Sequence, residues 1–143
     1  MKKEGDLHFF TPDTSGKGVW LAEEGVSAGF PSPADDFKET RISLDKVAVK
    51  NEAATFYARV AGQSMIDAGL DDGDLLVIDR SLEPQDGKIA VCLIDGEFTV
   101  KRLKVEKNCV WLVAENKRYK PIQVTEENEL MIWGIVTHVL KAL

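Results

Sequence analysis

The chain has 143 residues, 44% of them hydrophobic and 29% charged, which is typical of one globular domain with a substantial core. Eighteen basic and twenty-four acidic residues give a net charge of −6, and this balance argues against binding DNA over the whole surface. No stretch has the apolar core of a signal peptide or the roughly 20 apolar residues of a membrane helix. We therefore expect a cytoplasmic protein.

Residues 1–40 differ in composition from the rest of the chain. They contain five of the eleven glycines and three of the five prolines, and both residue types interrupt regular elements. Large apolar side chains are interspersed, among them Phe9, Phe10, Trp20 and Leu21. We therefore expect an irregular N-terminal arm that lies over the domain or over a partner subunit.

The rest of the chain has the period-two patterns of β-strands, with only the stretch "SMIDAGL" suited to a short helical turn. A hairpin is predicted around Asp95 and Gly96, because that pair favours a type I′ turn. The fold predicted is mostly β, compact and built from hairpins. The predicted strands lie at 55–60, 74–79, 88–105 (two strands), 109–114 and 129–140.

Cysteine and histidine indicate neither a disulfide framework nor a metal site. Cys92 and Cys109 each lie in an apolar run, which favours two buried thiols that act as small hydrophobic residues. His8 and His138 are far apart, and the sequence has no CxxC or HExxH spacing. We expect no metal and no cofactor.

A candidate nucleophile lies in "GQSM", where Ser64 follows a predicted strand and a glycine that permits a sharp turn. Its hydroxyl could point outward while the backbone N–H groups of Ser64 and Met65 face one side. A nucleophile beside donors for a developing oxyanion is what acyl transfer requires. Gly-x-Ser is common in loops, so a solvated turn serine is the alternative interpretation.

A serine nucleophile needs a base, and two side chains are candidates. His138 lies in the alternating pattern of the last predicted strand, where an ordinary strand-face histidine is the simpler interpretation. Lys101 lies in the second strand of the predicted hairpin, and burial there would lower its pKa and create a Ser-Lys dyad. Lys88 and Lys104 have less apolar neighbours and are predicted to be solvated.

Three separated segments, "AGFPSPADDF", "GQSMIDAGLDDGDLLVIDR" and "DGEFTVKRL", resemble the LexA/UmuD family of self-cleaving Ser-Lys peptidases. The closing "GIVTHVLKAL" fits the same resemblance, which covers roughly residues 28–143. It implies a β-rich peptidase and dimerisation domain at 41–143, preceded by an arm at 1–40 that contains the cleavage site.

The resemblance also assigns the site residues. It places the nucleophile at Ser64, the general base at Lys101 and the scissile bond between Ala28 and Gly29. The prolines that follow this bond disfavour helix, which suits a segment that must be extended to enter a protease cleft. A hinge is the alternative interpretation of the segment.

In this family, a RecA filament on single-stranded DNA assists self-cleavage during the response to DNA damage. The shortened product then joins an error-prone translesion DNA polymerase subunit. Residues 1–27 have no clear counterpart and are too few for the DNA-binding domain of LexA-type repressors. The resemblance therefore implies a homodimeric accessory protein of the UmuD type, with no sequence-specific DNA binding. The alternatives are a non-catalytic dimeric module that docks on a polymerase and a peptidase that cuts other proteins.

Overall fold

The computed structural model describes residues 7–16, 18–22 and 39–143 of the chain. Within these ranges it contains ten strands, one α-helix and two 3₁₀ turns, so the prediction of a mostly β fold is confirmed. The helix α1 is Leu44–Ala48, and the 3₁₀ turns are Glu52–Ala54 and Ile66–Ala68. The strands are β1 His8–Phe10, β2 Val19–Ala22, β3 Glu39–Ile42, β4 Thr55–Arg59, β5 Leu75–Asp79, β6 Ile89–Ile94, β7 Glu97–Val105, β8 Val110–Val113, β9 Ile122–Val124 and β10 Leu130–Leu140.

Eight of these strands form one antiparallel sheet in the order β1-β4-β5-β10-β6-β7-β8-β9. The long strand β10 lies near its centre and pairs with β5 on one side and β6 on the other. Strands β2 and β3 form a separate two-stranded ribbon, in which Ala22 pairs with Glu39. The sheet thus brings strands that are distant in sequence into direct contact.

The predicted hairpin is present as β6 and β7. Asp95 and Gly96 form its turn with φ angles of 48° and 84°, the positive values that a type I′ turn requires at both central positions. The register pairs Ala90 with Lys101 and Cys92 with Thr99. This pairing places Lys101 in the middle of a long strand with a neighbour on each side.

Two apolar clusters form the core, and they lie on opposite faces of the hairpin because neighbouring residues of a strand point to opposite faces. Val91 belongs to one cluster, whereas Ala90 and Cys92 belong to the other. The buried residues of the first core cluster are Ala58, Val60, Met65, Leu70, Leu76, Ile78, Val91 and Val100. Those of the second core cluster are Ala90, Cys92, Leu103, Leu112 and Ile135.

Some elements are not apparent from the sequence. Strand β9 has only three residues and follows Pro121 in a polar stretch, and its pairing with β8 is what defines it. The described part of the arm contains β1 and β2, which are short and lack an alternating pattern of their own. Strand β1 is held by pairing with β4, so a segment with loop-like composition forms an edge of the main sheet.

Candidate active site

Ser64 lies in the loop between β4 and β5, two residues before the 3₁₀ turn Ile66–Ala68. The two ends of this loop are held together, because the Val60 N–H donates to the Asp74 carbonyl over 2.9 Å and the Gly73 N–H donates to the Val60 carbonyl over 2.8 Å. Gly62 has a φ of 90°, a backbone conformation that residues with a Cβ atom rarely adopt. The glycine in "AGQSM" therefore permits the sharp turn that precedes Ser64.

The loop between β8 and β9 holds the same segment from the other side. Asn116 donates from Nδ2 to the Gln63 carbonyl over 2.8 Å, and the Asp67 N–H donates to the Glu115 carbonyl over 2.8 Å. Met65 is 2% exposed and packs in the first core cluster. The residues on both sides of Ser64 are thus anchored, while Ser64 itself is only partly buried.

Lys101 reaches this loop from the middle of β7. Its side chain is buried, with 7% of the residue exposed. The Nζ atom donates to Ser64 Oγ over 3.2 Å, to Thr99 Oγ1 over 2.7 Å and to the Val100 carbonyl over 3.2 Å. The structure therefore brings together the two side chains that the sequence singles out as nucleophile and base.

This arrangement can transfer a proton. A hydroxyl and an amine at hydrogen-bond distance meet the first geometric requirement for general-base activation of a serine. Burial disfavours the charged form of an amine, and the fixed oxygen atoms of Thr99 and Val100 orient Nζ towards Ser64.

The backbone N–H groups of Ser64 and Met65 are available for hydrogen bonding. Within the part of the chain that the structure describes, neither group donates a hydrogen bond to another residue. Unpartnered N–H groups beside a serine hydroxyl are suitable donors for an oxyanion.

The other candidates lie apart from this pair. His138 is exposed on β10, with Nδ1 2.9 Å from the hydroxyl of Thr137. Lys88 and Lys104 are exposed, in agreement with their predicted solvation. Ala28 and Gly29, the predicted scissile bond, lie outside the described residues.

Cys92 and Cys109 are free thiols, and the prediction that both are buried is wrong for Cys109, which is only partly buried directly before β8. Cys92 is fully buried, and this burial raises the pKa of its thiol to about 12, against the opposing effect of a positive charge on Lys101. Within residues 7–16, 18–22 and 39–143, no group of three or more His, Cys, Asp or Glu side chains could hold a metal ion. None of the helices in these ranges is long and apolar enough to cross a bilayer.

Two residues of the site are missed by the sequence argument. Thr99 could have been found, because it is two positions from Lys101 on the same strand and so shares its face. Asn116 lies in a polar loop, and nothing in its local sequence indicates that it reaches the loop of Ser64. Only the fold brings residues 63 and 116 together.

Comparison with known proteins places this geometry in a family. Residues 21–137 match the family model described as Peptidase S24-like. Protein ImpA of Salmonella typhimurium is 44% identical over 121 residues, which cover 84% of this chain and 81% of that protein. Protein MucA of Escherichia coli is 44% identical over 117 residues, 80% of this chain and 79% of that protein. The LexA repressor of Oleidesulfovibrio alaskensis is 43% identical over 111 residues, 78% of this chain and 53% of the repressor.

The fold and the family match together define the class of this molecule, a β-rich serine peptidase of the self-cleaving kind. The chain belongs to the LexA/UmuD family, and the relatives that it matches over most of their length are UmuD-like proteins. The resemblance inferred from its sequence segments is confirmed.

Proposed function

We propose that this chain is an endopeptidase that cleaves itself between Ala28 and Gly29, with Ser64 as the nucleophile and Lys101 as the general base. The observation that supports the proposal is the 3.2 Å contact between Lys101 Nζ and Ser64 Oγ, made by a buried lysine. The family match supports the reaction type, because it covers both residues and the proposed scissile bond.

The reaction begins when the neutral amine of Lys101 takes the proton of Ser64 Oγ, which attacks the carbonyl carbon of Ala28. The N–H groups of Ser64 and Met65 hold the resulting oxyanion, a contribution of about 10²–10³ in rate for a single donor. The Lys101 ammonium returns its proton to the nitrogen of Gly29 as the peptide bond breaks. Water then hydrolyses the acyl-enzyme with Lys101 again as base, and residues 29–143 are the product.

This self-cleavage belongs to the response to DNA damage. We propose that a RecA filament on single-stranded DNA accelerates the cut, and that the product then serves as an accessory subunit of an error-prone translesion polymerase. The support is the similarity to UmuD-like proteins over about four fifths of both chains. The net charge of −6 is consistent with a protein that acts through other proteins rather than on DNA directly.

We also propose that the protein is a homodimer. An apolar groove of about 320 Å³ lies between α1 and the strands β5 and β10. Four large hydrophobic side chains around it are exposed. Exposed apolar patches of this kind usually mark surfaces that contact another protein, which supports a dimer. These side chains are Leu44, Val47, Val139 and Leu140.

The test is intact mass spectrometry of the purified chain after incubation at pH 7 and pH 10, with and without activated RecA filament. The wild type should lose residues 1–28, whereas Ser64→Ala and Lys101→Ala should stay whole. Lys88→Ala is the matched control, because Lys88 is exposed, and it should cleave like the wild type. A wild type that stays whole under every condition would contradict the proposal and favour a non-catalytic binding module.

A further inference from the structure

Phe9 and Phe10 are consecutive residues of β1 with different surroundings. Phe10 is 50% exposed. The ring centroid of Phe9 lies 4.6 Å from that of Trp133 and 5.0 Å from that of Phe98. Phe9 therefore anchors the strand against the first core cluster, whereas Phe10 faces solvent.

The ring of Phe9 occupies a preformed recess on one face of the sheet. Its partner on β4 is Ala58, which is fully buried, and the small side chain of an alanine leaves room for a phenyl ring on that face. The walls of the recess are held in place by their own contacts, because Trp133 also packs against Phe56 at 5.0 Å and carries the Arg80 guanidinium 4.4 Å from its ring centroid. We call the recess formed by Ala58, Phe56, Phe98 and Trp133 the aromatic notch.

Strand β1 also completes the sheet. It is the outermost strand, and it pairs three residues with β4 in antiparallel register. Without it, β4 would present unpaired backbone N–H and C=O groups directly beside an open aromatic notch. An uncovered edge next to an apolar recess is a template for an added strand.

We propose that the β4 edge and the aromatic notch form a strand-addition site for a partner protein, and that β1 occupies the site until self-cleavage. The inference rests on the proposed function, because the cut at Ala28–Gly29 is what severs β1 from the domain. The partner contributes an extended, antiparallel segment with an aromatic side chain at the position of Phe9. Main-chain pairing supplies affinity, and the notch supplies selectivity.

The change in net charge does not explain how the cut would give the protein new partners. Residues 1–28 carry three lysines and five acidic residues, a net charge of −2. The cut therefore changes the net charge only from −6 in the whole chain to −4 in the product. A tethered strand has a high effective concentration at its own site, so a partner segment cannot displace β1 efficiently from the intact chain. Severing the tether therefore makes the notch accessible.

The test uses the full chain with residues 24–30 replaced by the recognition sequence of an external protease. The cut then does not depend on Ser64, so failure of this site can be distinguished from failure of the proposed self-cleavage. The probe is a fluorescein-labelled peptide of residues 5–16, measured by fluorescence anisotropy before and after the cut. Circular dichroism checks that the cut protein keeps its β-sheet.

We expect the peptide to bind at least tenfold more tightly after the cut than before it. A peptide with Phe9→Ala should bind at least tenfold more weakly, because it lacks the anchor, whereas Phe10→Ala should change binding less than about twofold. Equal losses from both substitutions, or no binding by the cut protein, would overturn the proposal. The released segment carries the same strand as the probe, so it is removed by gel filtration before the peptide is added.

A second experiment keeps the chain intact and does not require the cut protein to stay folded. In an uncut Ser64→Ala background, Phe9→Ala weakens the resident strand, so the labelled wild-type peptide should bind at least tenfold more tightly than to the Ser64→Ala chain alone. Phe10→Ala in the same background should give no such gain. If the Phe9→Ala chain binds the peptide no better, β1 does not occupy a strand-addition site.

Discussion

The Nζ atom of Lys101 donates a hydrogen bond to the Oγ atom of Ser64 over 3.2 Å, although 37 positions separate the two residues in the sequence. One residue lies in the loop after β4 and the other in the middle of β7. Neither strand pairs with the other, so the contact depends on the packing of the loop onto the sheet. Changes that move this loop should therefore affect the reaction without touching either side chain.

The rate of self-cleavage should increase with pH. A lysine acts as a base only when it is neutral, and below its pKa the neutral fraction rises about tenfold for each pH unit. The logarithm of the rate should therefore rise from pH 7 towards pH 10, with a slope of about one as long as most of the amine is protonated. Intact mass against time, without RecA, measures the profile, and a rate that is flat from pH 7 to pH 10 would argue against Lys101 as the base.

Loss of the Thr99 hydroxyl should slow self-cleavage. Its oxygen lies 2.7 Å from Lys101 Nζ, closer than Ser64 Oγ and the Val100 carbonyl, which are both 3.2 Å away. Thr99→Val has a similar shape but no acceptor, and the loss of a hydrogen bond worth about 1 kcal/mol corresponds to a rate loss of about fivefold. The measurement is the rate of cleavage at pH 9.

Thr99→Ser is the matched control for this substitution, because it keeps the hydroxyl. We expect it to restore most of the wild-type rate. A Thr99→Val variant that cleaves at the wild-type rate would show that the hydroxyl does not contribute to the reaction.

Asn116→Ala should lower both stability and the cleavage rate. The Asn116 side chain donates to the Gln63 carbonyl and accepts from the Arg118 N–H over 3.0 Å, and the residue is only 9% exposed. Leaving these backbone groups without partners costs about 1–3 kcal/mol in the free energy of unfolding. Urea unfolding and the cleavage rate are measured on the same preparation.

The control for this prediction is Asn108→Ala in the exposed turn between β7 and β8. It should leave the free energy of unfolding within about 0.5 kcal/mol of the wild type, as is usual at exposed positions. Wild-type stability and cleavage in Asn116→Ala would mean that the loop of Ser64 does not need this anchor.

The two cysteines should differ sharply in reactivity. The thiolate is the reactive form, and with its pKa raised to about 12 the Cys92 thiol is almost fully protonated at pH 8. Cys92 is also fully buried, whereas Cys109 is only partly covered. Iodoacetamide at pH 8 should modify Cys109 at least about 100-fold faster, as read from peptide masses, and both should react at similar rates in guanidinium. Comparable rates in the folded protein would contradict the buried position of Cys92.

Elements with strong local patterns are predictable from this sequence. The β6–β7 hairpin follows from Asp95-Gly96 between two apolar runs, because a type I′ turn needs positive φ at both positions. Strands β1 and β9 have three residues each, too few for an alternating pattern. Both form because a longer neighbour pairs with them, and the chain sequence does not show which strands will be neighbours.

The candidate site likewise has a part that the local sequence predicts and a part that only the fold reveals. The chemistry of Ser64 and Lys101 can be inferred from a glycine-containing turn and from a lysine in an apolar strand, and the family resemblance selects them among the alternatives. The 3.2 Å contact requires the loop of Ser64 to pack against β7, and the role of Asn116 requires two loops to meet. Such contacts arise between segments more than 30 positions apart, which no local pattern encodes.

The ribbon of β2 and β3 makes the proposed cut a one-way event. Ala22 pairs with Glu39, so the Ala28–Gly29 bond lies within a closed loop of the 16 residues numbered 23–38. While that loop is intact, the entropy of closing it opposes pairing only weakly, because this cost grows with the logarithm of loop length. After the cut, β2 and β3 belong to separate molecules, and their pairing obeys mass action. Only the strand pairs of β1 and β2 and the packing of Phe9 then hold the released segment, and at the dilution of a cell a segment that has dissociated is lost. In the proposed function, a single molecule can therefore respond to damage once, and only synthesis of a new chain restores the uncut form.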